Sequence, residues 1–186
     1  MSNLTRRNFT LGALAGVPLL AGCANGVGSS GAAQIDARVN ATLEHMYSRY
    51  PGTRDLAEKS NGMLIMPLIT EGGFIVGGGY GRGALRIDNV SVDYYSTTKG
   101  SVGFQIGAKQ FAHVLFFMTD EALQRFRRGS GWAAGGDIQY VFKDTGETLR
   151  ADTTTSNSPV LAVIFGQAGL MAGVSLEGMK YNRIIP

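Results

Sequence analysis

The chain has 186 residues, 44% apolar and 17% charged, which suits one globular domain and excludes a disordered or fibrous chain. The formal charge of +3 overstates its basic character. Arg6 and Arg7 sit in an N-terminal segment that has no acidic residue, and the remainder is within one unit of neutral, which excludes a nucleic-acid footprint by composition. One cysteine excludes a disulfide framework, and the 27 glycines, about twice average usage, cluster in β-like runs where they mark tight curvature or close packing.

The first 22 residues read as a signal peptide: a short basic region, an apolar stretch from Leu11 to Leu20 too short to span a bilayer, then small residues. "TRRNFTL" is similar to the twin-arginine export motif, with Arg6, Arg7 and Phe9 in place. "LLAGC" resembles the lipobox of bacterial lipoproteins, ending at Cys23. Use of that lipobox makes Cys23 the mature N-terminus, bearing a diacylglyceryl thioether and an N-acyl chain such as palmitate. Several chains anchor stably, because each buried CH₂ contributes about 0.8 kcal/mol. Ala24 in place of aspartate favours the outer membrane by the same resemblance, and residues 23–33 form a flexible lipidated tether. The expected location is the bacterial cell envelope, facing the periplasm.

Residues 34–186 form the folded unit. Ile35, Val39, Leu43, Met46 and Tyr50 recur at helical spacing and predict an amphipathic helix over 34–50, ended by Pro51-Gly52. A second, short helix is expected over 53–59, capped by Thr53. The period then changes to two, predicting strands over 63–69, 73–81, 83–87, 90–97, 102–118, 136–142, 159–166 and 170–178. One helix interrupts them: Thr119 caps "DEALQRFRR", with acids in its first turn, arginines in its last and Gly129 closing it. Residues 143–158 form a polar loop or hairpin.

The glycine-rich stretch "GYGRGA" (79–84) formally fits a dinucleotide fingerprint, but the next run, "LRIDNVSVDYY", alternates with period two and offers no helix N-terminus to a phosphate. The stretch reads instead as a strand with one bare face. His45 and His113 lack a second histidine or cysteine at ligand spacing, so no metal is expected. Ser175 in "GVSLE" misses the nucleophile elbow at Glu177. No catalytic residues and no cofactor emerge, and the chain does not read as an enzyme.

The runs "GMLIMP", "GGFIVGGGYGRGAL", "YYSTTKGSVGFQIGAK", "VLFFMTDEALQRFRRGSGW" and "FGQAGLMAGVSLEGMKYNRI" resemble the SYLF domain from about residue 53 to 184. That resemblance implies an α+β fold, a mainly antiparallel, curved, barrel-like sheet flanked by a few helices. It also implies phospholipid binding, with phosphoinositides and actin as partners of eukaryotic members. Actin is not an expected partner of an exported bacterial protein. Arg82 stands where many members carry an acidic residue.

Candidate headgroup ligands are Arg125, Arg127 and Arg128 at the end of the "DEALQRFRR" helix, with Lys99, Lys109 and Arg82 secondary. The arginines equally suit the helix dipole, with Glu121 and Arg125 as a surface pair. Trp132 suits a membrane interface or the core. The leading expectation is a lipid-anchored domain that binds anionic phospholipid without catalysis. The alternative is an envelope protein whose domain binds a protein partner.

Overall fold

The computed structural model describes residues 29–73, 76–102, 107–129, 131–135, 138–140, 158–166, 169–170 and 174–186. The signal-peptide segment, Cys23, most of the tether and nearly all of the polar stretch 143–158 lie outside these. Among the described residues three helices, α1 (Gly31–Arg49), α2 (Thr53–Lys59) and α3 (Asp120–Arg128), accompany nine strands. The strands are β1 (Gly62–Gly73), β2 (Val76–Ile87), β3 (Val90–Val102), β4 (Gly107–Phe117), β5 (Trp132–Ala133), β6 (Ile138–Tyr140), β7 (Val160–Gly166), β8 (Gly169–Leu170) and β9 (Lys180–Ile184). They form one sheet in the order β5-β9-β3-β2-β1-β4-β7-β6, with β8 beside β7, and among the described pairings only β6 with β7 is parallel. The fold is α+β, a curled half-barrel.

Several boundaries differ from the sequence reading. The glycine-rich run and "GALRI" make one strand, β2, because their glycines lie along a continuous ladder rather than at a turn. The β2–β3 turn falls at Asp88 and Asn89, both at positive φ (49° and 64°), the backbone that a two-residue hairpin loop requires. The expected strand over 170–178 is, where described, only Leu170 at the end of β8; residues 174–179 form a loop. The strand after that loop, β9, is one the alternation did not signal, since only Tyr181 of its five residues is buried.

The curl is measurable. Three strands separate β4 from β9 in the sheet, so His113 and Tyr181 would lie about 19 Å apart in a flat sheet at roughly 4.8 Å per strand. Nε2 of His113 is 2.9 Å from the Tyr181 hydroxyl. The hollow face is filled by Leu64, Met66, Tyr95, Phe111, Leu115 and Phe117 from the strands, closed over by Leu123 and Phe126 of α3 and Leu176 of the loop before β9. On the outer face, Ile35, Val39, Leu43 and Met46 of α1 and Leu56 of α2 cover Ile65, Ala84, Val114, Phe116 and Val163. Polar contacts hold α1 in place: Ser91 and Tyr94 donate to the Asp36 carboxylate at 2.7 and 2.8 Å, and Arg86 donates to Asn40 Oδ1 at 2.6 Å.

Close approach makes the curl. A Cβ on Gly83, which faces the hollow, would overlap the carbonyl oxygen of Ile65 on β1 and come within 2.6 Å of Met66 Sδ. Only glycine lets β2 coil this tightly onto β1. At the same place β1 slips register by one residue against both neighbours, between Ile65 and Leu68 on the β2 side and between Met66 and Ile69 on the β4 side. Pro67 lies within that bulge. Having no N–H to donate, it is tolerated in a central strand only where the ladder is already broken.

Candidate functional site

Helix α3 forms where the sequence supplies a cap, a dipole and one apolar stripe. The Thr119 hydroxyl accepts from the Ala122 amide at 3.2 Å, Asp120 and Glu121 lie in the first turn, and Arg125, Arg127 and Arg128 in the last. Ala122, Leu123 and Phe126 are buried. Phe126 centres an aromatic cluster, with ring centroids at 4.7 Å from Tyr95, 4.9 Å from Phe117 and 5.3 Å from Trp132. Trp132 is half-buried on Phe126 and Tyr181, whose ring is 5.7 Å away.

The stripe sets where the arginines point. Arg127 Nε lies 3.2 Å from Asp93 Oδ2, and Arg183 Nη2 of β9 lies 3.4 Å from the same oxygen while donating to the Arg127 carbonyl at 3.2 Å. Two guanidinium groups therefore share one carboxylate, and with exposed Arg125 and Arg128 beside them this edge carries a cationic surplus. Exposed apolar side chains are close to it in sequence: Val92 precedes Asp93, Val90 begins the same strand, and Ile185 lies two residues beyond Arg183.

The other basic candidates are elsewhere. Lys99 is six residues from Asp93 along β3, about 20 Å at strand rise. Its ammonium donates to the Ser175 carbonyl at 2.7 Å and pairs with Glu71 at 3.3 Å, so it ties the loop before β9 to the sheet. Lys109 is exposed and pairs in register with Glu71. Arg82 lies on the outer face, in register with Leu68. The six basic candidates thus fall into three groups rather than one site.

The outer face carries a second feature, at the Pro67 bulge. The bulge leaves Leu68 42% exposed beside α1, with a groove on either side. One, of about 530 Å³, is mostly apolar, with Ala41, Ala112 and Phe165 in its lining and His45 stacked on Phe165 at 5.9 Å. The other, of about 370 Å³, is lined in part by Arg38, Tyr80 and Arg82. Pro67 and Leu68 belong to both. Sequence reasoning missed Arg38, His45, Leu68, Tyr80 and Arg183 as site residues. The signal available for the groove was a proline inside an alternating strand, which requires a bulge.

Among the described residues the interior supplies no exposed reactive group. His113 is fully buried, and burial lowers its pKa to about 3, so the ring is neutral. The Tyr181 hydroxyl lies 2.9 Å from His113 Nε2 and 3.7 Å from Met179 Sδ, and His113 Nδ1 has no hydrogen-bond partner among the described residues. Ser175 is exposed, its hydroxyl accepting from the Glu177 amide at 3.1 Å. Among the described residues no group of His, Cys, Asp and Glu could hold a metal ion, and no helix is long and apolar enough to cross a membrane.

The described residues thus form a curled, mainly antiparallel half-barrel with helices on both faces and a basic edge. Residues 98–183 match the family described as Ysc84, Las17-binding protein actin regulator. The chain is 32% identical over 76 residues to SH3 domain-containing YSC84-like protein 1 of Pongo abelii and 30% identical over 76 residues to that of Homo sapiens, in both cases over 41% of this chain and 22% of the relative. It therefore spans about a fifth of the length of the curated relatives it matches. Over residues 98–183 the chain is similar to the Ysc84 family, in line with the SYLF domain that its motifs resemble. The matched part includes α3 with all its arginines. The family's description is that of a binding protein and regulator, and because it names actin, the expectation that actin is no partner finds no support in it.

Proposed function

We propose that this chain is a bacterial lipoprotein, acylated at Cys23 and held at the outer membrane facing the periplasm, whose domain binds anionic phospholipid without catalysis. The observation that carries the reading is the edge where Arg127 and Arg183 share Asp93, with Arg125, Arg128 and exposed Val90, Val92 and Ile185 close to it in sequence. Guanidinium groups in surplus beside exposed apolar side chains match an interface of phosphates and upper acyl chain. The Ser29 hydroxyl donates to the Pro186 carbonyl at 2.8 Å, so the tether from Cys23 enters the domain beside the residue that follows Ile185.

The test replaces Arg125, Arg127 and Arg128 together by glutamine, which keeps helix propensity and removes charge. Affinity for anionic vesicles falls by about 1 kcal/mol per charge. Unchanged vesicle binding at low salt removes this edge from the site.

A second reading, binding to a protein partner in the envelope, is favoured by the description of the matched family. Crosslinking in cells separates the two: one dominant protein adduct supports the partner, and adducts only to lipid support the membrane.

A further inference from the structure

The two grooves that meet at Pro67 and Leu68 differ in character and share a wall. The larger, about 530 Å³, is mostly apolar and lies within the ordinary range for a small-molecule site. The smaller presents Arg38 from α1 and Arg82 from β2. By contrast, a polar groove nearby, at the α2 end of α1, is lined by Glu58 and Asp88 as well as Arg54 and Arg86, so both signs of charge meet there. An apolar slot beside a wall bearing two guanidinium groups is complementary to a molecule with one apolar and one anionic end.

We propose that this bulge groove holds a single phospholipid molecule, one acyl chain lying between α1 and the sheet against Leu68 and Phe165, and the phosphate between Arg38 and Arg82. The inference rests on the phospholipid reading above but uses the opposite face of the sheet from the basic edge of α3. It gives the bulge a role: were residues 64–69 to alternate without a bulge, Leu68 would share the hollow face with Leu64 and Met66 instead of lying on the outer face. Tyr80, diagonal to Leu68 across the β1–β2 ladder and 54% exposed, flanks the phosphate end.

The experiment titrates residues 23–186 carrying Cys23→Ser, which retain α1 through β9, with monomeric dihexanoyl phosphatidylglycerol, and follows backbone amide shifts by NMR. The expected result is one saturable equivalent with shifts confined to α1, β1, β2 and the Phe165 end of β7. Leu68→Asp, at an exposed position, weakens binding about tenfold, and Arg38→Gln with Arg82→Gln weakens it by a similar factor. Shifts elsewhere, or variants that bind as the parent does, overturn the groove. Octanoate bound as tightly as the phospholipid overturns the phospholipid assignment in favour of a free fatty acid. Vesicle sedimentation of the same samples keeps the two readings apart. Vesicle binding without groove shifts refutes this inference and leaves the α3 edge standing, whereas groove shifts without vesicle binding support the inference and refute the membrane-docking edge.

Discussion

His113 and Tyr181 are hydrogen-bonded at 2.9 Å across the hollow of the sheet, although three strands lie between theirs along the ladder. The contact couples the curl to pH. Burial lowers the His113 pKa to about 3, whereas in the unfolded chain it is about 6.5. Above the unfolded value both states are neutral and the stability is fully present. As pH falls from about 6.5 toward 3 only the unfolded state takes up the proton, so stability falls by up to about 1.4 kcal/mol per unit. Urea unfolding at pH 7.5 and 4.5 reads this directly: the parent loses about 2–3 kcal/mol more than His113→Gln over that interval. An equal loss in both places the acid sensitivity elsewhere.

Gly83 is where the curl depends on a missing side chain. Gly83→Ala drives a methyl group into the Ile65 carbonyl and costs at least about 3 kcal/mol, because the obstacle is backbone and cannot rotate away. Gly78→Ala, on the outward side of the same strand, meets only the Lys99 carbonyl oxygen at 3.5 Å and costs under about 1 kcal/mol. Denaturant midpoints of the pair test the claim, and equal costs contradict it.

Asp93→Asn removes the carboxylate that Arg127 and Arg183 share. The partly exposed ion pairs are worth about 0–1 kcal/mol each, so stability falls slightly. Affinity for anionic vesicles rises by about 1 kcal/mol, since the edge gains one net positive charge. A loss of vesicle binding would mean that Asp93 orders the arginines for binding rather than offsetting them.

Cys23→Ser removes the proposed site of acylation. The protein then leaves the membrane pellet on washing with high salt, because basic side chains alone bind reversibly and are screened. A serine variant that stays in the pellet contradicts the anchor.

Much of the fold was legible because period and caps carry it. The α1 stripe of Ile35, Val39, Leu43 and Met46 and the Thr119 cap of α3 are where the residues put them. Gly77, Gly79 and Gly81 alternate with Gly78 and Tyr80 along β2, as the bare-faced strand required. Strand β9 was not legible, since at a sheet margin Lys180, Asn182 and Arg183 stay exposed and no alternation is imposed. The site was less legible still. Which arginine meets Asp93, and that Lys99 is spent on Glu71 and the Ser175 carbonyl, depend on strands distant in sequence. Arg38 and Leu68 become neighbours only through the bulge at Pro67.

The most direct measurement is co-sedimentation of residues 23–186 carrying Cys23→Ser with vesicles of phosphatidylglycerol and of phosphatidylcholine, at low and high salt. The account predicts binding to the anionic vesicles at low salt, weakening steeply as the Debye length shrinks from about 30 Å at 0.01 M to about 3 Å at 1 M, and little binding to the zwitterionic ones. Absence of binding to anionic vesicles at low salt would contradict it.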